Sequence, residues 1–259
     1  MRKERPKVGI ALCSGAIRGM AHIGVLEVFE EAGIPVDMIA GTSAGSLVGG
    51  LYALGLELKY LKQLATNIRW EHISDLTVPR RGLIAGKKFL DFLKFLTQNK
   101  TFEDLEIPFK AVATDIERGE RIVLESGSVA EAIRASTSIP GIYVPFEKDG
   151  RLLVDGAIVD RIPISLVKEM EADIIIGVDV GFNIGYSKLN NIFEILIQTT
   201  DIMVREVSRE RWIDADILIK PEVGQYPGMD MSNADKIIQA GREAAEKEID
   251  NIKKLIGVD

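Results

Sequence analysis

Short aliphatic runs alternate twice with helical periodicity within the first 54 residues, and that alternation restricts the fold more than any other feature of the chain. Residues 7–13 form a β-branched run that stops at Ser14-Gly15 and reads as a buried strand. Residues 18–32 then place Met20, Ile23, Val25, Leu26 and Phe29 at helical spacing, with Gly33 as the stop signal. Residues 36–40 are a second short apolar run, Gly41 turns it, and residues 43–54 are small and apolar at helical spacing. Strand, helix, strand, helix at these lengths is the βαβ pattern of a parallel sheet.

The remainder continues the theme. Helices are predicted over 56–68 and 86–98, and strands over 108–114 and 121–125 around the turn at Glu117-Arg118-Gly119-Glu120. Residues 128–135 read as a short helix capped by Ser128. Residues 152–154 lead as a strand into Asp155-Gly156, and the almost wholly aliphatic stretch 172–180 suits a central parallel strand. Residues 217–219 read as a further strand. Residues 232–256 read as one long amphipathic helix with Ile238, Ala245, Ile249 and Ile252 on one face. With 259 residues, 46% of them hydrophobic, and no linker or repeat, the expectation is a single α/β domain over 1–259.

Composition excludes several function classes. A formal net charge of −7 repels phosphate backbones, which argues against nucleic acid as a partner. It also opposes broad adsorption to anionic membranes, though a local basic patch can still act. The lone Cys13 cannot form an intrachain disulfide, which suits a reducing cytoplasm. No uncharged apolar run approaches the ~20 residues a spanning helix needs, so the expectation is a soluble or peripheral protein. The chain contains no metal-ligand cluster and no phosphate loop, so neither metal nor cofactor is expected.

Gly41-Thr42-Ser43-Ala44-Gly45 is a G-x-S-x-G pentapeptide between a predicted strand and a predicted helix. A strand that turns sharply into a helix leaves its middle residue strained and exposed, and the flanking glycines Gly41 and Gly45 remove Cβ clashes. Ser43 would sit at a helix N-terminus, where the dipole favours developing negative charge. The pentapeptide alone is a weak signal, and a small-residue helix start packed on a neighbour explains it too. A serine nucleophile needs a base. The two histidines, His22 and His72, do not follow the Ser-acid-His order of α/β-hydrolases. The best-placed carboxylate is Asp155, at the end of a predicted strand; an Asx turn explains it equally well.

Several segments together resemble the patatin-like phospholipase family, in particular its small bacterial single-domain members. These are Arg18-Gly19-Met20-Ala21-His22-Ile23-Gly24-Val25-Leu26, Gly41-Thr42-Ser43-Ala44-Gly45-Ser46, Ala135-Ser136-Thr137-Ser138-Ile139-Pro140-Gly141 and Leu153-Val154-Asp155-Gly156-Ala157, followed by Asp160-Arg161-Ile162-Pro163. The resemblance implies a three-layer α/β/α fold with a mostly parallel central sheet. It implies a Ser43–Asp155 dyad without histidine, with Gly156 and Ala157 completing the base motif. It implies hydrolysis of fatty-acyl esters, typically of phospholipids or lysophospholipids, through an acyl group carried on Ser43, with no metal. A lipid substrate leaves room for transient contact with a membrane surface. The same acyl-enzyme could pass its acyl group to an alcohol, making an acyltransferase, and a regulatory or scaffolding protein could keep the fold with weak catalysis.

One loop departs from the family pattern. Where the family has G-G-G-x-R-G, this chain has Ser14-Gly15-Ala16-Ile17-Arg18-Gly19. Gly15 and Ala16 would supply the oxyanion N–H groups, with Arg18 holding the loop; losing one such donor costs roughly 10²–10³ in rate. A working hole is expected to keep Ala16 at negative φ, since left-handed backbone costs alanine about 1 kcal/mol or more. The helix over 86–98 carries a wide apolar stripe flanked by Lys87, Lys88 and Lys94, with Arg80 and Arg81 just before it; Phe92 and Phe95 are read as lining an acyl-chain channel, with contact to a lipid interface or an ordinary core helix as the alternatives. His22 and Cys13 are read as buried packing residues, and residues 205–211, where Arg and Glu alternate, as a solvated helix face.

Overall fold

The computed structural model describes residues 5–78, 80–181, 192–208, 214–228 and 230–257. At its centre are strands β1 (Val8–Leu12), β2 (Met38–Thr42) and β7 (Ile174–Val178), each buried along its whole length. A strand covered on both faces has no use for polar alternation, which is why these segments are continuously aliphatic. β1 pairs in parallel with β2 and with β7, β2 pairs in parallel with β3 (Phe109–Asp115), and β7 pairs in parallel with β8 (Ile217–Ile219). At the β3 end the sheet becomes antiparallel, through β4 (Glu120–Leu124), β5 (Phe146–Lys148) and β6 (Arg151–Asp155).

Helices cover both faces. α1 (Ala21–Ala32) and α2 (Ala44–Ala53) follow β1 and β2, and α7 (Ile164–Glu169) leads into β7. Gly9 and Leu12 face opposite sides of β1 by the two-residue strand period. Val167 of α7 lies over Gly9, and Gly49 of α2 lies against Leu12, so α7 and α2 occupy opposite layers. The parallel connections β1 to β2 and β2 to β3 step the same way along the sheet, so right-handed crossovers keep α1 and α2 in one layer; β6 runs antiparallel to β7, and packing on Gly9 sets α7 in the other. Between these come α3 (Leu58–Asn67), α4 (Trp70–Ile73), α5 (Lys87–Leu96) and α6 (Val129–Ser136). Ser128 caps α6 by accepting the Glu131 N–H. The chain closes with α8 (Ile192–Ser208), α9 (Ala234–Glu246) and α10 (Ile249–Ile256). The fold is a three-layer α/β/α sandwich around a mostly parallel core. Among the described residues no helix is long and apolar enough to cross a membrane.

The segment 232–256 is not one helix. It breaks between Glu246 and Ile249 without proline or glycine, so the apolar spacing runs on across the break. The cause is tertiary: α9 packs along α1, whereas α10 lies beside β8. The short strand β5 and helices α4 and α7 span too few residues to show a period, whereas α8 has helical periodicity of which only the end, from residue 205, is anticipated. The alternating stretch 205–211 is helical through Ser208, the end of α8, and residues 209–211 lie outside the described residues.

α1 and α9 cross at near-backbone distance. A Cβ on Gly24 would lie 2.0 Å from the Ile238 carbonyl oxygen, and one on Gly241 would lie 2.0 Å from that of Ala21. Backbone cannot yield as a flexible side chain can, so Gly24→Ala must push the helices apart. The expected cost is about 2 kcal/mol, within the range for overpacked cores, read as a lower urea midpoint. A Gly24→Ala protein as stable as wild type would show that this crossing is looser than described.

Candidate active site

Where β2 and β6 stop decides the geometry. β2 pairs with β3 through Val112, opposite Thr42, and β6 pairs with β3 from Ala113, opposite Asp155. β4 overlaps both stretches of β3, so β2 and β6 must share the other edge. They meet there end to end. Ser43 follows Thr42 and Asp155 ends β6, so the two residues converge at consecutive positions of one strand edge. Both are buried.

The elbow is strained as its sequence suggests. Ser43 has φ 54° and ψ −118°, outside the right-handed and extended regions, at a cost of about 1–3 kcal/mol. Close packing holds it: a Cβ on Gly45 would lie 2.1 Å from the Leu12 carbonyl oxygen. The Thr42 hydroxyl also donates to the Asp160 carbonyl at 2.9 Å, which ties the elbow to the loop after Asp155.

A third segment clamps the junction. Ser136 Oγ donates to the Val112 carbonyl at 2.6 Å and accepts the Ser43 N–H at 2.8 Å. Two residues on, the Ser138 carbonyl accepts the Asp155 N–H at 2.9 Å. Buried Arg134 braces this segment by donating to Ser138 Oγ at 2.5 Å and to the carbonyls of Gly86 and Val144 at 3.0 Å, and its guanidinium stacks 4.8 Å from the Tyr143 ring. Sequence reasoning assigned roles to none of Ser136, Ser138 or Arg134. The Ala135–Gly141 motif was the available signal, but which backbone groups it reaches depends on the sheet.

Asp155 Oδ1 accepts the Ala157 N–H at 2.9 Å, so the Asx turn anticipated as an alternative is present. It does not exhaust the side chain, because a carboxylate has about four acceptor positions.

Residues 14–19 lie across the start of α2, with Gly19 backed onto Ala44. Ser14 N–H donates to the Arg161 carbonyl, Ile17 N–H to that of Gly228 and Arg18 N–H to that of Gly15. Among the described residues, nothing accepts from the N–H groups of Gly15 and Ala16. Ala16 has φ 48°, which overturns the expectation of negative φ. Ala16 is the first residue of a 3₁₀ turn (Ala16–Met20) that starts straight after Gly15, and its backbone there is left-handed. Arg18 is buried within the turn. Behind the loop, Arg161 and Asp179 form a buried ion pair at 3.1 Å, and Asp179 also accepts the Gly181 N–H. In the sequence Asp179 stands out only as the acid near the end of the aliphatic stretch 172–180.

Ala16, Ser43 and Ala44 open onto an almost wholly apolar cavity of about 160 Å³. Cavities of about 150 Å³ with apolar walls stay dry and admit small hydrocarbons. Phe92 lines it with Phe89 and Leu96, but Phe95 does not: it is 78% exposed on the outer side of α5. The apolar stripe of α5 is wider than the wall it forms, and spacing alone could not say which edge turns out.

Neither histidine lines this cavity. His72 is exposed on α4, where its Nδ1 accepts the Arg69 N–H. His22 is fully buried, with Nε2 2.9 Å from the Cys13 carbonyl. A carbonyl only accepts, so Nε2 carries the proton. Burial raises the Cys13 thiol to about 12, with Asp179 adding to the effect, so it is no ready nucleophile.

The patatin-like phospholipase family model matches residues 10–168, which include the loop, the elbow and Asp155. The chain belongs to the patatin-like phospholipase family. An uncharacterised NTE family protein of Mycobacterium tuberculosis is 38% identical over 177 residues, covering 68% of this chain and 49% of that protein. A lysophospholipase of Mycosarcoma maydis is 37% identical over 182 residues, covering 67% of this chain and 10% of that protein. The chain thus spans about half, or far less, of the length of these relatives. The crystal structure of VipD from Legionella pneumophila shares the fold, with a TM-score of 0.69 at 14% identity over 96% of this chain and 67% of that one.

Burial lowers the His22 pKa from 6.5 to about 4. The folded state therefore favours the neutral ring. The associated stability is fully present above pH 6.5 and is lost as pH falls towards 4, in total about 3 kcal/mol. Urea titrations at pH 7 and pH 4.5 should show a steeper loss in wild type than in His22→Gln. Equal losses in the two proteins would remove His22 as the source.

Proposed function

We propose that this member of the patatin-like phospholipase family is a serine lipid acyl hydrolase of the phospholipase, lysophospholipase or carboxylesterase type. The convergence of Ser43 and Asp155 on one edge of β3 carries the reading. Ser43 Oγ attacks the ester carbonyl and its proton passes to Asp155. The N–H groups of Gly15 and Ala16 receive the oxyanion, on a loop that Arg18 helps to hold. Asp155 returns the proton to the leaving alcohol, which departs and leaves the acyl group on Ser43. A water then gives its proton to Asp155 and its hydroxyl to the acyl carbon, and the freed Ser43 oxygen takes the proton back. The acyl chain occupies the apolar cavity beside Ser43, against Phe89, Phe92 and Leu96 rather than Phe95. The kinship with a named lysophospholipase supports lipid esters as the substrate class.

A second reading, a protein of this fold with weakened catalysis, draws on one observation, the positive φ of Ala16. Against it stand the N–H groups of Gly15 and Ala16, which are left without acceptors among the described residues on a loop whose Ala16 lines the cavity that holds Ser43.

Ester turnover, covalent labelling and stability test these readings. Ser43→Ala and Asp155→Asn should each cut p-nitrophenyl ester turnover roughly a thousand-fold or more, with the double variant little worse, because residues acting as one unit are not additive. Fluorophosphonate labelling should vanish in Ser43→Ala. A folded Ser43→Ala protein that keeps turnover ends the proposal. Ala16→Gly should raise stability by about 1 kcal/mol, through relief of left-handed strain offset by chain entropy. It should change turnover by no more than a few-fold; a rise of ten-fold or more would favour the weakened-catalysis reading.

A further inference from the structure

Leu76 and Val78 are 83% and 73% exposed. Scattered apolar side chains on a surface need no explanation, but these two stand on a braced hairpin among cations. An antiparallel bridge joins Leu76 to Ile84, and the Thr77 N–H donates to the Leu83 carbonyl at 3.1 Å. The returning arm is fixed to the body of the protein. Leu83 and Ile84 N–H groups donate to the Ile142 carbonyl, and the Val144 N–H donates to that of Ile84. The hairpin hangs between Ile73 and Phe89, which both line the cavity beside Ser43.

Its charge is opposite to that of the chain. Residues 74–88 hold Arg80, Arg81, Lys87 and Lys88 against a single acid, Asp75, on a protein of net charge −7. All four cations are exposed. Asp75 does not offset them outwardly, because its carboxylate accepts the N–H groups of Gly86, Lys87 and Lys88 at the start of α5. Arg81 meets Glu147 at 3.2 Å, but both side chains are mostly exposed, and such a pair is weak in water.

We propose that the hairpin whose arms are residues 74–78 and 80–84 docks the protein on an anionic phospholipid surface. Leu76 and Val78 enter the boundary between head groups and acyl chains, and Arg80 and Arg81 meet lipid phosphates. This rests on the lipid-hydrolase reading and deepens it. A lipid drawn from the surface at the hairpin has an apolar route along Ile73 and Tyr143 towards Ser43.

Flotation with vesicles tests the proposal. Wild type should float with vesicles of phosphatidylcholine and phosphatidylglycerol, and much less with phosphatidylcholine alone. Arg80→Gln with Arg81→Gln should weaken anionic-vesicle binding about 25-fold, at about five-fold per cation near the surface. Leu76→Ser with Val78→Ser should weaken it on the order of ten-fold or more. Both double variants should keep the wild-type melting temperature and turnover of a soluble short-chain ester. Ser43→Ala should float like wild type, so an inactive protein that still docks through the hairpin separates failure of the hydrolase reading from failure of this one. Absence of wild-type flotation, or either double variant floating as well as wild type, overturns the proposal. So does a wild-type dimer that Leu76→Ser with Val78→Ser dissociates while flotation is unchanged, which would make the hairpin a contact between copies.

Discussion

Two strands reach the same edge of β3 from opposite directions, and most of what is distinctive in this protein depends on their meeting there. β2 stops at Thr42 and β6 stops at Asp155, opposite neighbouring residues of β3. A strand end releases its next residue from the ladder, so each free end can present a side chain or turn sharply. Two free ends at one point give a serine and a carboxylate a common position that no single strand or helix could. The inner edge of a sheet also excludes water and is rigid, the two properties an acyl-transfer site needs.

Such a junction leaves backbone groups that the ladder cannot satisfy, and the C-terminal end of α6 meets them. Ser136 serves the Val112 carbonyl and the Ser43 N–H with one hydroxyl, and the Ser138 carbonyl serves Asp155. Arg134 fastens that segment to the first turn of α5, so one wall of the apolar cavity and the support of Asp155 share an anchor. The strain at Ser43 and Ala16 is borne by this surrounding packing. Both residues line one cavity, where straightening either backbone would move the elbow or the loop away from the other.

The cavity itself is lined by side chains from both hydrophobic clusters of the protein. Leu47, Val48 and Leu51 extend it along α2, while Phe89 and Tyr143 close it from the smaller cluster beneath the hairpin. The boundary between two packed clusters is where a hydrocarbon can be admitted without dismantling either. It also joins the site to a cationic stretch of an acidic chain, residues 74–88.

Parallel order, the buried strands and the elbow were legible in the sequence because their causes are local. A strand covered on both faces must be aliphatic throughout, and a tight strand-to-helix turn needs glycines at Gly41 and Gly45. The family motifs marked Ser43 and Asp155, and neighbouring residues marked the Asx turn at Ala157. Tertiary structure alone decided the rest. The spacing of α5 could not say that Phe92 turns inward and Phe95 outward, since both belong to one broad stripe. No proline or glycine announced the break between α9 and α10, because it follows from packing on α1 and then beside β8. Ala16 was expected at negative φ from alanine's own preference, which the turn after Gly15 overrides. Arg134 looked like any helix arginine, because the carbonyls it holds come from Gly86 and Val144. A sequence states the conformational preferences of its segments; which strand ends meet, and which side chains must serve them, is set by contacts between residues far apart along the chain.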